Sequence, residues 1–205
     1  MSKMLNTNGF DFVDLGLPSG TLWATMNVGA SNPSDFGLYF QWGDVQGYTA
    51  EQVGKDKQFN WNDYKFSING SEDEDNLTFT KYITTGATLE LADDAAHFHM
   101  GGSWHMPSSE QIQELINETT SNWIKLDGVN GRLFTSKNGK SIFIPAAGYA
   151  SNGSVYVSGS YGLVWASMLD TDGVRYGQYL NFDSSYINLY NYSRYNGLSV
   201  RGVIG

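Results

Sequence analysis

Few residues in this chain are of the types that do chemistry. His97, His99 and His105 are its histidines. His97 and His99 are two apart, so on a helix they point roughly 200° away from each other and cannot share a metal. Gly101-Gly102-Ser103 has the texture of a phosphate-cradling loop. It lacks a preceding parallel strand and a following Gly-Lys-Ser/Thr, so it carries no phosphate site. No Gly-x-Ser-x-Gly elbow leads to a triad. Asp93-Asp94 is a carboxylate pair, but in an acidic chain such pairs more often cap helices than transfer protons. Ser71-Glu72-Asp73-Glu74-Asp75 reads as a solvated acidic loop. A calcium loop needs a bend-forming glycine inside the ligand run, and Gly70 lies before it. The expectation is a protein that is not an enzyme, with no catalytic residue, no metal site and no cofactor.

What stands out is a different kind of chemistry. Nine of the 13 tyrosines lie from Tyr149 onward. Residues 176–196 hold 6 Tyr, 4 Asn, 3 Ser and Asp183, with Arg194 as the one basic residue. Strand propensity accounts for the tyrosines but not for the Asn and Ser, which strands avoid. The mixture is that of antibody-like binding surfaces. There tyrosine offers large amphipathic area at low rotamer cost, and Asn and Ser offer adaptable hydrogen bonds.

Composition bounds the rest. The chain has 205 residues and no cysteine, so disulfide scaffolds, thiol catalysis and cysteine-ligated metals are excluded. A net charge of −9 argues against phosphate backbones and anionic membranes as partners. No apolar run approaches the roughly 18 residues of a membrane span, so no direct membrane insertion is expected. Residues 1–9 read as a disordered N-terminal tail or a cloning remnant, and 10–205 as one domain with no linker.

The elements that must position these residues are short. Leu17-Pro18-Ser19-Gly20 is a turn. After it Leu22, Ala24, Met26 and Val28 alternate with polar or large residues, which predicts a strand with one buried face. Leu89–His99 has helical spacing at Leu91, Ala95 and Phe98. Ser108 with Gln111 three residues on predicts a capping box, and Ile112, Leu115 and Ile116 form one face of the helix that follows. Beyond residue 120 there is only strand-and-turn texture. The fold class expected is α+β: two short helices among short, mostly antiparallel strands with long irregular loops.

Several motifs occur in order along the chain. Phe12-Val13-Asp14-Leu15-Gly16-Leu17-Pro18-Ser19-Gly20-Thr21-Leu22-Trp23-Ala24-Thr25 opens it, followed by Asn27-Val28-Gly29-Ala30 and Tyr39-Phe40-Gln41-Trp42-Gly43-Asp44. Asp93-Asp94-Ala95-Ala96, Gly102-Ser103-Trp104-His105-Met106-Pro107, Ile144-Pro145-Ala146-Ala147-Gly148, Trp165-Ala166-Ser167 and Arg194-Tyr195-Asn196-Gly197-Leu198-Ser199-Val200-Arg201 complete the set. Together they resemble a domain family abundant in gut Bacteroidales, similar to the formylglycine-generating-enzyme type of C-type lectin fold. With such a C-terminus the chain resembles the variable proteins of diversity-generating retroelements. Leu198 departs from the family's usual Phe, a tolerable apolar swap. The enzyme branch of the fold uses cysteines, which this chain lacks. Trp61-Asn62-Asp63 matches a tripeptide of lectin calcium sites, but it lies far from the C-terminal third where that motif belongs.

The resemblance implies a C-type lectin fold and a variable ligand-binding region over about 163–203, rewritten by adenine-directed mutagenesis on a constant scaffold. Trp165, Ala166, Leu180, Phe182, Gly197, Ser199, Val200 and Arg201 are expected to be framework. The contact residues expected are Met168, Asp170, Asp172, Tyr176, Gln178, Tyr179, Asn181, Asp183, Tyr186, Asn188, Tyr190, Asn191, Tyr192 and Tyr195. Gln178 shares parity with Leu180, so its inclusion assumes a bend near Gly177. Arg194 and Arg201 read equally as fold-pinning or ligand-contacting. The partner expected is a protein or glycan on a cell surface, with no nucleic acid, and the setting a phage tail or a bacterial surface. The alternative is a carbohydrate-binding lectin module of fixed specificity.

Overall fold

A computed structural model describes residues 5–68 and 77–205. The readings of Gly70 and of Ser71–Asp75 fall outside the described residues. In chain order the strands are β1 (Leu5–Thr7), β2 (Phe10–Asp14), β3 (Leu22–Asn27), β4 (Thr119–Leu126), β5 (Val129–Ser136) and β6 (Ser141–Pro145). They continue as β7 (Tyr149–Ser151), β8 (Ser154–Tyr156), β9 (Gly162–Leu169), β10 (Tyr176–Phe182), β11 (Ile187–Ser193) and β12 (Arg201–Ile204). The helices are α1 (Ala95–Met100) and α2 (Ser109–Glu118).

Strands and bridges take 41% of the described residues and helices 11%, with one helix of seven or more residues among them. The chain is mostly β, in four small antiparallel sheets ordered β1-β2-β3-β12, β4-β5-β6, β7-β8 and β11-β10-β9. This corrects the expected α+β class and, with it, the C-type lectin assignment. The first expected helix forms only in part. Over Leu89–His99 only a 3-10 turn at Leu91–Asp93 and the six-residue α1 appear. Asp94 interrupts the run because its carboxylate caps α1, accepting from the His97 amide at 2.9 Å. Leu91 and Phe98, expected on the buried face, stay exposed.

Where the local signals are strong, the elements form as expected. Gly20 donates to the Leu17 carbonyl at 2.9 Å and closes the β2–β3 hairpin, with Phe12 opposite Ala24. Ser108 and Gln111 make the reciprocal capping box of α2, which buries Ile112 and Leu115. Two details differ. The tail expected to be disordered through residue 9 is ordered from Leu5, as β1 pairs with β2. β3 is covered on both faces, so Trp23 and Asn27 are as buried as Ala24, while Leu22 and Met26 are only half-buried.

Two main cores result. One gathers Phe40, Trp42, Tyr64, Trp104 and Trp165. The other lies beneath α2 and gathers Trp23, Ile112, Leu115, Phe134, Leu180 and Phe182. Arg201 is fully buried and donates to Asn27 Oδ1 at 3.0 Å, to the Ala24 carbonyl at 2.9 Å and to the Phe143 carbonyl at 2.9 Å. It ties β12 to β3 and β6. Arg194 is also fully buried, donates to the Tyr82 carbonyl, and lies 3.8 Å over the Phe79 ring. Both arginines pin the fold, and neither reaches the surface.

Candidate ligand-binding face

The three-stranded sheet β11-β10-β9 positions the tyrosines. Its alternation divides the side chains cleanly. On one face Val164, Ala166, Leu180, Phe182, Ile187 and Leu189 turn toward the core that α2 covers. On the other face Leu163, Trp165, Gly177, Tyr179, Asn181, Asn188, Tyr190 and Tyr192 stand together, as the pairings Tyr179↔Trp165, Tyr179↔Tyr190, Asn181↔Asn188 and Gly177↔Tyr192 require. Gly177 is needed here because a Cβ would sit 2.6 Å from Trp42 Cδ1.

This second face is not open along its whole length. The β7–β8 hairpin and the segment after it lay Tyr149, Val157 and Tyr161 against it. With Leu163, Tyr179, Asn181 and Tyr192 they line an open pocket of about 330 Å³. That is within the range that small ligands occupy, roughly 300–1,000 Å³. The rings are ordered by one another. Tyr149 meets Tyr192 edge-on at 5.2 Å and stacks on Tyr156 at 5.4 Å, while Tyr179 lies 5.9 Å from Tyr192. On the far wall Tyr161 contacts Tyr186, which contacts Tyr190. Burial pushes the Tyr179 hydroxyl well above its ordinary pKa. Burial and then a hydrogen bond with Tyr149 do the same for Tyr192. Both are neutral across the physiological range.

Asn181 sits in the pocket wall. Its Nδ2 donates to Tyr186 Oη at 3.0 Å, and its buried Oδ1 has no partner. Around the pocket, Tyr156, Val157, Tyr186 and Tyr190 are four of the eight large apolar side chains that remain exposed among the described residues. An apolar rim of this kind marks an interaction site rather than ordinary surface.

The fourteen expected contact residues do not form one surface. Tyr179, Asn181 and Tyr192 line the pocket, and Tyr186, Asn188 and Tyr190 extend it. Asp172 and Asn191 are exposed elsewhere. Tyr179 and Asn181 are 7% and 8% exposed, so the expectation that they are open strand positions is corrected: the hairpin wall covers them. Gln178 is also corrected. The strand does shift register between Gly177 and Tyr179, yet Gln178 keeps its parity with Leu180 and accepts from Ser109 of α2. Asn191 opposes it and lies on the same side.

Asp170 is buried and holds the loop to Asp172. Met168 bridges to Thr88. Tyr176 stands at the far end of β10, and Tyr195 packs on Trp61 at 4.7 Å. The Asp183 carboxylate accepts from the Ser185 and Tyr186 amides at 2.6 and 2.9 Å. Burial opposes its charge, but these bonds outweigh that and hold its pKa below the usual range. It shapes the turn and does not face the pocket. Trp61-Asn62-Asp63 forms a 3-10 turn whose Asp63 carboxylate accepts from the Gln58, Phe59 and Asn60 amides.

Sequence reasoning missed Tyr149, Val157 and Tyr161, which lie before the span expected to vary. The rise in tyrosine from residue 149 onward was the available signal.

A family model described as a domain of unknown function (DUF8237) matches residues 124–203. All seven residues that line the pocket fall inside that span. No curated protein and no solved structure matches the chain. No helix among the described residues is long and apolar enough to cross a membrane.

Proposed function

We propose that this chain is a non-catalytic ligand-binding protein whose contact surface is the tyrosine face of β9, β10 and β11. The surface is diversified by retroelement mutagenesis and displayed on a phage tail or a bacterial surface, where it grips a protein or glycan. The observation that carries the reading is the convergence of seven tyrosines around one pocket: Tyr149, Tyr156, Tyr161, Tyr179, Tyr186, Tyr190 and Tyr192. Buried aromatic anchors within an exposed rim are the arrangement from which binding hot spots arise. The expected framework residues support it as well. Trp165, Ala166, Leu180, Phe182, Ser199, Val200 and Arg201 are all buried, so side chains can change beside them without exchanging the core.

One observation favours a second reading. Three pocket residues, Tyr149, Val157 and Tyr161, precede the span of about 163–203. A half-fixed pocket suits a carbohydrate-binding module of constant specificity. Natural variants displayed against glycan and protein arrays separate the two. Targets that change with sequence support diversification, and one sugar class shared by all variants supports the fixed module. A repeat of the DNA for residues 163–203 that differs at adenines, beside a reverse transcriptase gene, is the matching genomic test.

A further inference from the structure

The polar groups of the tyrosine pocket are lopsided. Asn181 is 8% exposed, and its Oδ1 is a buried acceptor with no donor. One N–H of the amide's donor end is engaged by Tyr186. None of the seven lining residues carries a formal charge of either sign. The remaining polar groups are tyrosine hydroxyls, which accept as readily as they donate. The walls are the rings of Tyr149, Tyr161, Tyr179 and Tyr192, with Leu163 and Val157 as apolar surface.

Each class of ligand meets this arrangement differently. An anion would find no cation to pair with and would meet an unpaired acceptor, leaving mainly neutral hydroxyl donors to offset its desolvation. A sugar brings donors and acceptors in equal measure, so its acceptors would compete for the tyrosine hydroxyls and the second Asn181 N–H, with no cation to receive them. A donor-only cation fits every term. Ring faces attract it, Asn181 Oδ1 takes its N–H, and the −9 net charge raises its local concentration.

We infer that the pocket takes a protonated primary amine on an unbranched apolar stem, held by Tyr149, Tyr161, Tyr179 and Tyr192 and donating to Asn181 Oδ1. That is the chemistry of a lysine side chain on a partner or of a free alkyl diamine. The inference rests on the reading of this face as a ligand-binding surface and names what the surface selects.

The test is calorimetry with tyrosine-ring NMR on the full chain, in buffer of physiological salt. The probes are N-acetyl-lysine methylamide, cadaverine, the N-acetyl-norleucine analogue and methyl glucoside. One of the two amines should move the Tyr149, Tyr161, Tyr179 and Tyr192 signals and bind at least about 10-fold tighter than the norleucine probe. Preference for the lysine probe assigns a lysine side chain, and preference for cadaverine assigns a free amine. Asn181→Asp should tighten amine binding and Asn181→Leu weaken it. Tyr161→Phe should preserve binding, and Tyr161→Leu should cut it several-fold. Tyr161 is only half-buried, so this pair keeps the test alive if the Asn181 variants do not fold.

Equal binding of norleucine, preference for methyl glucoside, or unmoved tyrosine signals would each overturn the inference. The wider reading has its own readout, a scan of the exposed Tyr186 and Tyr190 against a macromolecular target. If that scan costs affinity while the amines fail, the amine assignment falls alone.

Discussion

Gly177→Ala tests whether the tyrosine face is built on a close-packed floor. A Cβ at residue 177 would lie 2.6 Å from Trp42 Cδ1, 2.9 Å from Trp42 Cγ and 3.0 Å from Trp165 Cζ3. Ordinary carbon contacts are about 3.5–4.0 Å, so the shortfall approaches 1 Å on two sides. Neither indole is free to yield. Trp42 Nε1 donates to the Ala166 carbonyl at 3.0 Å, Trp165 Nε1 donates to the Phe40 carbonyl at 2.8 Å, and both rings are fully buried. Overpacking of this kind costs about 1–3 kcal/mol. The stiffer unfolded chain returns about 0.4–1 kcal/mol. With two immobile indoles the cost lies toward the upper end, a net of about 2 kcal/mol. At about 2–4 °C per kcal/mol for a chain of this length, Tm should fall by about 4–8 °C. Differential scanning calorimetry measures it. Gly173→Ala is the control, since its Cβ would approach the half-buried Tyr176 ring at 3.2 Å and otherwise make only ordinary contact with Asp170 Oδ2 at 4.0 Å. A Gly177→Ala protein that melts within about 1 °C of the parent would refute the packing argument.

Three further outcomes follow from the same geometry. Arg201→Met strands three buried acceptors, each worth about 1–3 kcal/mol, against the relief of no longer burying a charge; chemical denaturation should show a loss of about 3 kcal/mol, and an unchanged midpoint contradicts its fold-pinning role. Burial raises the folded-state pKa of Tyr64, Tyr179 and Tyr192 above the ordinary tyrosine value, and that of Tyr39 to about 12. Their contribution to stability is therefore full below about pH 10 and lost as pH rises above it. Ultraviolet titration should show these four ionising only as the protein unfolds, whereas smooth ionisation of all 13 near pH 10 in folded protein would be inconsistent with their burial. Tyr190→Ala, at a 49% exposed edge position, should change stability by less than about 1 kcal/mol. The same change should cost a bound target about 2 kcal/mol or more if Tyr190 is a hot spot.

What was legible in the sequence was what short-range physics decides. The Leu17–Gly20 turn and the Ser108/Gln111 box each satisfy backbone groups within four residues, so their signals are complete locally. The helix over Leu89–His99 forms as a regular α-helix only from Ala95, because the capping preference of Asp94 competes with helical spacing. The alternation of Leu22 through Val28 misled because β3 lies between two layers, so Trp23 and Asn27 are wanted inside as well. The pocket was half legible. Tyr179, Asn181 and Tyr192 could be placed on one sheet face by parity, but their burial depends on Tyr149 and Tyr161, which a hairpin more than a dozen residues away brings over them. Only tertiary structure supplies that lid.

The way this region is clamped bears on whether its side chains can vary. Arg132, reaching from β5, donates to the Asp183 carbonyl at 2.9 Å and to the Tyr186 carbonyl at 3.2 Å. Trp42 likewise donates to the Ala166 carbonyl. A carbonyl is present whatever residue carries it, so these two clamps hold the backbone while leaving side-chain identity free; Trp165 and Arg194 instead donate outward to the Phe40 and Tyr82 carbonyls, so their own side chains must stay. Asp183 is the exception among the turn residues, because its own carboxylate accepts the Ser185 and Tyr186 amides. Arg132→Gln should therefore speed amide hydrogen exchange around residues 183–188 while leaving α2 protected. Tyr186→Ser, which keeps the carbonyl, should leave exchange there nearly unchanged. If Tyr186→Ser loosens the turn as much as Arg132→Gln does, the side chain and not the backbone holds it. A repertoire at that position would then come at the cost of the fold.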